Sequence, residues 1–106
     1  MKSLTDVLRQ AASPRLVQAA RAQAILRRWP EFVGEIIAAR SQPVRFRNGI
    51  AYISVADSSW RQELELRQEE ILDRLNSAAG GAGLFKELRV EVGRQRDGFD
   101  AVDAEP

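Results

Sequence analysis

Two short runs, residues 44–47 and 50–55, alternate apolar and polar positions on either side of Asn48-Gly49. Alternation with a period of two marks a half-buried strand, and Asn-Gly accepts the positive φ angles of a two-residue type I′ turn, so the pattern predicts a β-hairpin. The turn sets the register: Arg47 faces Ile50, Phe46 faces Ala51, Arg45 faces Tyr52 and Val44 faces Ile53. Opposed residues share a face. Val44, Phe46, Ala51, Ile53 and Val55 are therefore expected on the core side, and Arg45, Arg47, Ile50, Tyr52 and Ser54 on the other.

Helical spacing flanks the hairpin. A short first helix is expected over residues 3–12, with Ser3 and Asp6 in capping-box spacing. Ser13-Pro14 starts a second, because serine caps helix N-termini and proline is tolerated at the first helical position. Its apolar side is expected to hold Leu16, Val17, Ala20, Ala24 and Leu26. Trp29-Pro30 interrupts this pattern, either as a kink or as a loop, since a residue before proline is pushed out of the α region. Spacing resumes over 31–39 with Phe32, Val33, Ile36 and Ile37, and Gly34 offers close backbone approach. After the hairpin, the run Ala56-Asp57-Ser58-Ser59 supplies several candidate N-caps, Ser59 with Gln62 in capping-box spacing, and one helix of about five turns is expected. Trp60, Leu64, Ile71, Leu75 and Ala78 form its stripe, bordered by Leu72, while Leu66 sits among acidic residues away from it. Residues 76–83 read as a stop and a loop. Leu88, Val90 and Val92 then alternate with Glu87, Arg89 and Glu91 as a third strand, the valines and leucine inward.

The order helix, hairpin, helix, strand predicts a two-layer α+β domain, α-β-β-α-β, over residues 1–92, with the 3–12 helix as a possible appendage. The remainder, 93–106, is polar and acidic without a packing period, and is expected to be a mobile tail. One domain is what 106 residues allow.

Composition narrows the chemistry. The chain has neither cysteine nor histidine, which removes disulfides, thiol nucleophiles, imidazole bases and nearly all zinc or haem arrangements. No cofactor or metal is expected, and an enzyme is the last choice. The acidic residues Glu65, Glu69, Glu70 and Asp73 read as a solvated helix face rather than a metal or acid–base site. No apolar run reaches bilayer length, and Lys2 is not followed by a signal-peptide core, so the expectation is a cytoplasmic protein without membrane contact. The net charge is only +1, yet residues 1–47 hold nine basic against three acidic residues and 48–106 hold seven against twelve. That asymmetry suits a polyanion at one end and a different partner at the other, or plain solvated surface.

The outward hairpin face is the foremost nucleic-acid candidate: Arg45 and Arg47 for phosphates, Tyr52 for stacking on an unpaired base, and Arg89 extending the patch from the third strand. Arg27, Arg28 and Arg40, with Arg21, form a second basic group near the junction of helices and hairpin. Gly80-Gly81-Ala82-Gly83 satisfies GxxG, but its middle is not basic and it leads to a strand, so a connector is the better reading. Trp29 and Trp60 fall in apolar spacing and read as core. Leu66 on the acidic helix face, with Phe99 and Val102 in the tail, are the partner-binding candidates.

Trp29, Val33-Gly34, Ile37-Ala38, Arg40-Ser41 and Pro43, followed by Gly49, Ser58, Trp60, Glu63-Leu64 and Leu75-Asn76, resemble the DciA family, bacterial proteins that assist the replicative DNA helicase. The resemblance covers roughly residues 26–92. It implies a KH-like domain, binding to single-stranded DNA, and contact with the hexameric helicase that promotes its loading. Members of that family often carry a longer C-terminal extension, disordered when free, that contributes to helicase contact. Here fourteen residues follow Val92, so the resemblance does not place that contact. Two other readings stay open: a KH-type RNA-binding module, and a protein-only interaction module that uses the acidic helix face and the tail.

Overall fold

The computed structural model describes residues 13–81 and 83–93; the expected 3–12 helix, Ala82 and the tail from 94 onward, with Phe99 and Val102, lie outside the described residues. The elements run α1 (Pro14–Leu26), α2 (Trp29–Val33), α3 (Glu35–Ala38), β1 (Ser41–Arg47), β2 (Ile50–Val55), α4 (Ser58–Leu66), α5 (Gln68–Ala78) and β3 (Glu87–Val92). This is the expected α+β order, with both helical stretches broken into shorter pieces.

α1 starts as its sequence demands. Pro14 opens the helix, and the Ser13 hydroxyl accepts the Leu16 N–H at 3.3 Å. Of its expected apolar side only Leu26 is in the core, joined there by Ala22 and Ile25, whereas Leu16 and Val17 are 55% and 43% exposed and Ala20 and Ala24 face solvent. Two apolar stripes compete on this helix. The one with the larger side chains near the C-terminus prevails because it leads directly into Trp29 and Phe32, which must also be buried.

The interruption at Trp29-Pro30 is a turn at Arg27 and Arg28, after which α2 begins with Pro30 in its first turn. Gly34 then separates α2 from α3 with φ at +91°. A Cβ there would meet nothing within 4 Å, so glycine is needed for the positive φ and not for the close approach expected of it. The break turns Ile36 outward, 76% exposed, against its expected place in the core, while Ile37 stays buried.

The sheet has the order β1-β2-β3, with β1 antiparallel and β3 parallel to the central β2. The turn is as predicted, Asn48 and Gly49 having φ values of +52° and +84°, and so are the pairs Arg47–Ile50, Phe46–Ala51 and Arg45–Tyr52. Beyond them the register shifts. Pro43, not Val44, faces Ile53, and Val44 is the extra residue of a bulge. Proline has no N–H to give a ladder and is accommodated at edge strands and bulges. β1 therefore begins earlier than expected, at Ser41, with Ser41 and Pro43 buried.

Asp57, rather than Ser59, caps α4, its carboxylate accepting the Trp60 N–H at 3.1 Å. The single long helix expected here is broken at Arg67, where φ is −101° and ψ is 10°. Leu64, Ile71 and Leu75 are buried as expected and Trp60 is half-buried, but Ala79, past the end of α5, takes the core place expected of Ala78. On β3, Leu88 and Val90 point inward, whereas Val92, at the strand's open end, is 45% exposed. Gly80, Gly81 and Gly83 all have positive φ in the connector that leads to β3.

One core joins Ala51, Ile53, Val55, Leu88 and Val90 on the inner sheet face to Leu26, Trp29, Leu64, Ile71, Leu75 and Phe85. Side chains tie the broken helices to this frame. The Trp29 indole N–H donates to the Ser41 hydroxyl at 2.9 Å, which donates to the Ile37 carbonyl at 2.6 Å. Arg74 donates to the Phe32 carbonyl, and Arg21 to the Ala79 carbonyl. The Asn76 side chain holds both backbone groups of Phe85, donating to its carbonyl at 2.9 Å and accepting its N–H at 2.8 Å. Gln68 accepts the Leu88 N–H, covering part of the β3 edge. Among the described residues no helix is long and apolar enough to cross a membrane.

Asn76→Ala leaves both backbone groups of Phe85 without a protein partner. It is expected to lower the unfolding free energy by about 1–3 kcal/mol, measured by urea denaturation with an unchanged slope; an unaltered midpoint would show that the clamp contributes nothing.

Candidate nucleic-acid interface

With the helices on one side of the sheet, the other side is built by register alone. Arg45 on β1 pairs with Tyr52 on β2, and Tyr52 with Arg89 on β3. The three side chains form one row across the sheet. The Arg45 guanidinium carbon lies 4.4 Å from the Tyr52 ring centroid and that of Arg89 lies 5.7 Å from it, within the reach of cation–π attraction. Toward the turn the next row is Arg47, Ile50 and Glu87; away from it stand Gln42, Ser54 and Glu91.

The face is less basic than the sequence suggests. Three arginines share it with Glu87 and Glu91, and Arg89 is committed to Glu87, its Nη2 donating at 3.1 Å. That hydrogen bond, and then the carboxylate's charge, raise the Arg89 pKa above the ordinary arginine value. Arg89 thus flanks Tyr52 as half of an ion pair, whereas Arg45 and Arg47 have no ion pair among the described residues. The positive charge of this face that is not matched by a carboxylate sits on the β1 side.

The structure splits the second basic group. α1 runs beside β1 with its N-terminal half at the hairpin tip, where Arg21 shares a cleft with Arg47, and its C-terminal end at the start of β1, where Trp29 reaches Ser41. Arg27 and Arg28 lie in the turn after α1, and Arg40 in the turn before β1. Arg40 is thus the length of β1 away from the cleft, whereas Arg27, the C-cap of α1, lies six residues beyond Arg21, about 9 Å of helical rise. Arg28 is further engaged with Glu31 at 3.0 Å and lies 5.4 Å over the Phe32 ring; the Glu31 hydrogen bond, then its charge, raise the Arg28 pKa.

Sequence reasoning missed two clefts. One, of about 820 Å³, opens at the hairpin tip between α1, the turn and the approach to β3, and adds Arg15 and Lys86 to Arg21 and Arg47. The other, of about 480 Å³, lies in the helical layer among Val33, Ile36, Ile37 and Trp60, with Glu63 and Arg67 on its rim. Glu63 and Arg67 are joined there at 2.6 Å. Leu66, on the same helix, is 77% exposed as expected. Two of the four acidic residues read as solvated pair with arginines one turn away, Glu65 with Arg61 and Glu70 with Arg74.

A family model described as "Dna[CI] antecedent, DciA" matches residues 3–90 of the chain. A UPF0232 protein of Rhodococcus jostii (strain RHA1) is 39% identical over 66 residues, which are 62% of this chain and 35% of that protein. The chain thus spans little more than a third of the length of this relative.

Proposed function

The chain belongs to the DciA family, and on that premise we propose that it is a non-enzymatic accessory protein of DNA replication that binds single-stranded DNA and contacts the replicative helicase, promoting its loading. The domain would be KH-like, cytoplasmic, and associated with the nucleoid through its DNA. The observation that carries the reading is the row of Arg45, Tyr52 and Arg89 on the open sheet face. Every base has a π-face, so an aromatic ring flanked by cations binds unpaired bases without regard to sequence. The Arg45 guanidinium covers the ring in the free protein. A base has two ways in: it stacks on the guanidinium plane, or it displaces Arg45 toward a phosphate. Either way the charge stays beside the backbone. Glu87 fixes Arg89 next to the ring while cancelling its charge, which leaves Arg45 and Arg47 to neutralise phosphates.

The chain carries no G-x-x-x-x-G-K-[ST] phosphate-binding loop, so in this reading nucleotide turnover belongs to the helicase. Leu66 and the apolar cleft of Ile36 and Trp60 belong to the helical layer, on the side away from the proposed DNA face. That separation lets the chain hold DNA and helicase together.

Replacing Arg45 and Arg47 with Glu is expected to weaken binding to oligothymidylate at least tenfold at low salt. Each lost phosphate contact flattens the salt dependence by roughly 0.7 in the slope of log K against log salt. Affinity and slope equal to those of the unsubstituted chain would remove both residues from the interface. Leu66→Asp is expected to leave DNA affinity unchanged and to reduce capture of purified replicative helicase. Equal capture would exclude Leu66 from the helicase contact.

A further inference from the structure

The cleft at the hairpin tip is more cationic than the sheet face beside it. Arg15 and Arg21 come from α1, Arg47 from β1 and Lys86 from the approach to β3, and none of the lining residues is acidic, whereas the sheet face sets Glu87 and Glu91 against its arginines. Four cations brought together without a carboxylate repel one another, and a bound polyanion relieves that repulsion. The cleft is also shaped. Its volume of about 820 Å³ lies within the usual range for ligand sites. Phe46 and Leu84 give it an apolar floor, with Phe46 held edge-on to the buried Phe85 at 5.4 Å and 72°.

Two of its groups are positioned by the fold. The Arg21 guanidinium is pinned by its hydrogen bond to the Ala79 carbonyl at 2.8 Å, which uses one of five N–H donors and leaves the others available. The Lys86 stem runs against Gly49, where even a Cβ would come within 3.0 Å of it, and the Lys86 N–H donates to the Gly49 carbonyl at 2.7 Å. Arg47 belongs both to this cleft and to the row next to Tyr52. Cleft and sheet face are therefore continuous around the hairpin tip.

We propose that this cleft is a second nucleic-acid subsite, in which Arg15, Arg21 and Lys86 grip the phosphates of the same strand whose bases lie on Tyr52, with Arg47 at the bend between the two. The assignment rests on the single-stranded DNA reading above and extends its footprint from the sheet face to α1. An acidic peptide is the rival occupant. The continuity through Arg47 favours a strand that also engages Tyr52.

The test uses the full chain with Arg15→Gln and Lys86→Gln together, both exposed and neither in an ion pair among the described residues. Affinity is measured against salt for a short oligothymidylate of about four nucleotides and a long one of about sixteen, the span of single-strand site sizes. For the long strand the salt slope is expected to fall by roughly 1.4, two phosphates' worth, with about a tenfold loss of affinity at low salt; the short strand is expected to bind unchanged. Long-strand affinity and slope equal to those of the unsubstituted chain would overturn the cleft while leaving the Tyr52 row standing. An equal loss on both lengths would overturn it as a separate subsite. Stronger competition by polyglutamate than by oligothymidylate, abolished in the double variant, would give the cleft to an acidic peptide. An unsubstituted chain that binds neither strand at low salt would refute the DNA reading, and the subsite with it.

Discussion

Everything on the open face depends on how β2 is held between its neighbours. A two-residue turn with positive φ at Asn48 and Gly49 locks it antiparallel to β1, and a helical crossover through α4 and α5 brings β3 beside it in parallel. Side chains alternate with a period of two, so a slip of one residue in the parallel pair would send Arg89 into the core and Val90 into water, and one in the hairpin would part Tyr52 from Arg45. The observed register instead places Ala51, Ile53 and Val55 beneath the helices, and aligns Arg45, Tyr52 and Arg89 above them. Burial on one face thereby fixes the chemistry of the other.

The helical layer meets this frame in pieces. Breaks at Arg27-Arg28, Gly34 and Arg67 create helix ends inside a small domain, and each end leaves backbone groups that need partners. Long-range side chains supply several of them: Arg74 at the Phe32 carbonyl, Arg21 at the Ala79 carbonyl, and the Ser41 hydroxyl between the Trp29 indole and the Ile37 carbonyl. The break at Gly34 turns Ile36 outward, and Leu66, off the apolar stripe of its helix, is exposed as well. The domain therefore has a polar, partly cationic side and a helical side with exposed apolar positions, a division that suits two unlike partners.

What was legible in the sequence was what short-range chemistry decides. Asn48-Gly49 announced its turn and the three pairs nearest it; Ser13-Pro14 announced a helix start; the alternation at Leu88 and Val90 announced the third strand. The bulge at Val44 was hidden, because it arises where Pro43 meets a ladder whose length only the folded sheet defines. The side expected for α1 was mostly wrong because two apolar stripes were available, and the choice between them depends on packing with Trp29 and Phe32. Tyr52 and its flanking arginines followed from the register. The pairing of Arg89 with Glu87 is a contact two residues apart along a strand that the alternation alone did not reveal. The cleft of Arg15, Arg21, Arg47 and Lys86 was illegible for a simpler reason: its members are scattered over seventy-two positions of chain and meet only when α1 lies beside the hairpin.

The central claim is that single-stranded DNA lies on the Tyr52 row of the open sheet face. Amide chemical-shift mapping of the isotope-labelled chain during titration with oligothymidylate tests it directly. The account predicts that the largest changes fall at Arg45, Arg47, Tyr52 and Arg89, with Ile36 and Leu66 unmoved. Changes confined to the helical layer, with Tyr52 and its two neighbours unaffected at saturation, would contradict it.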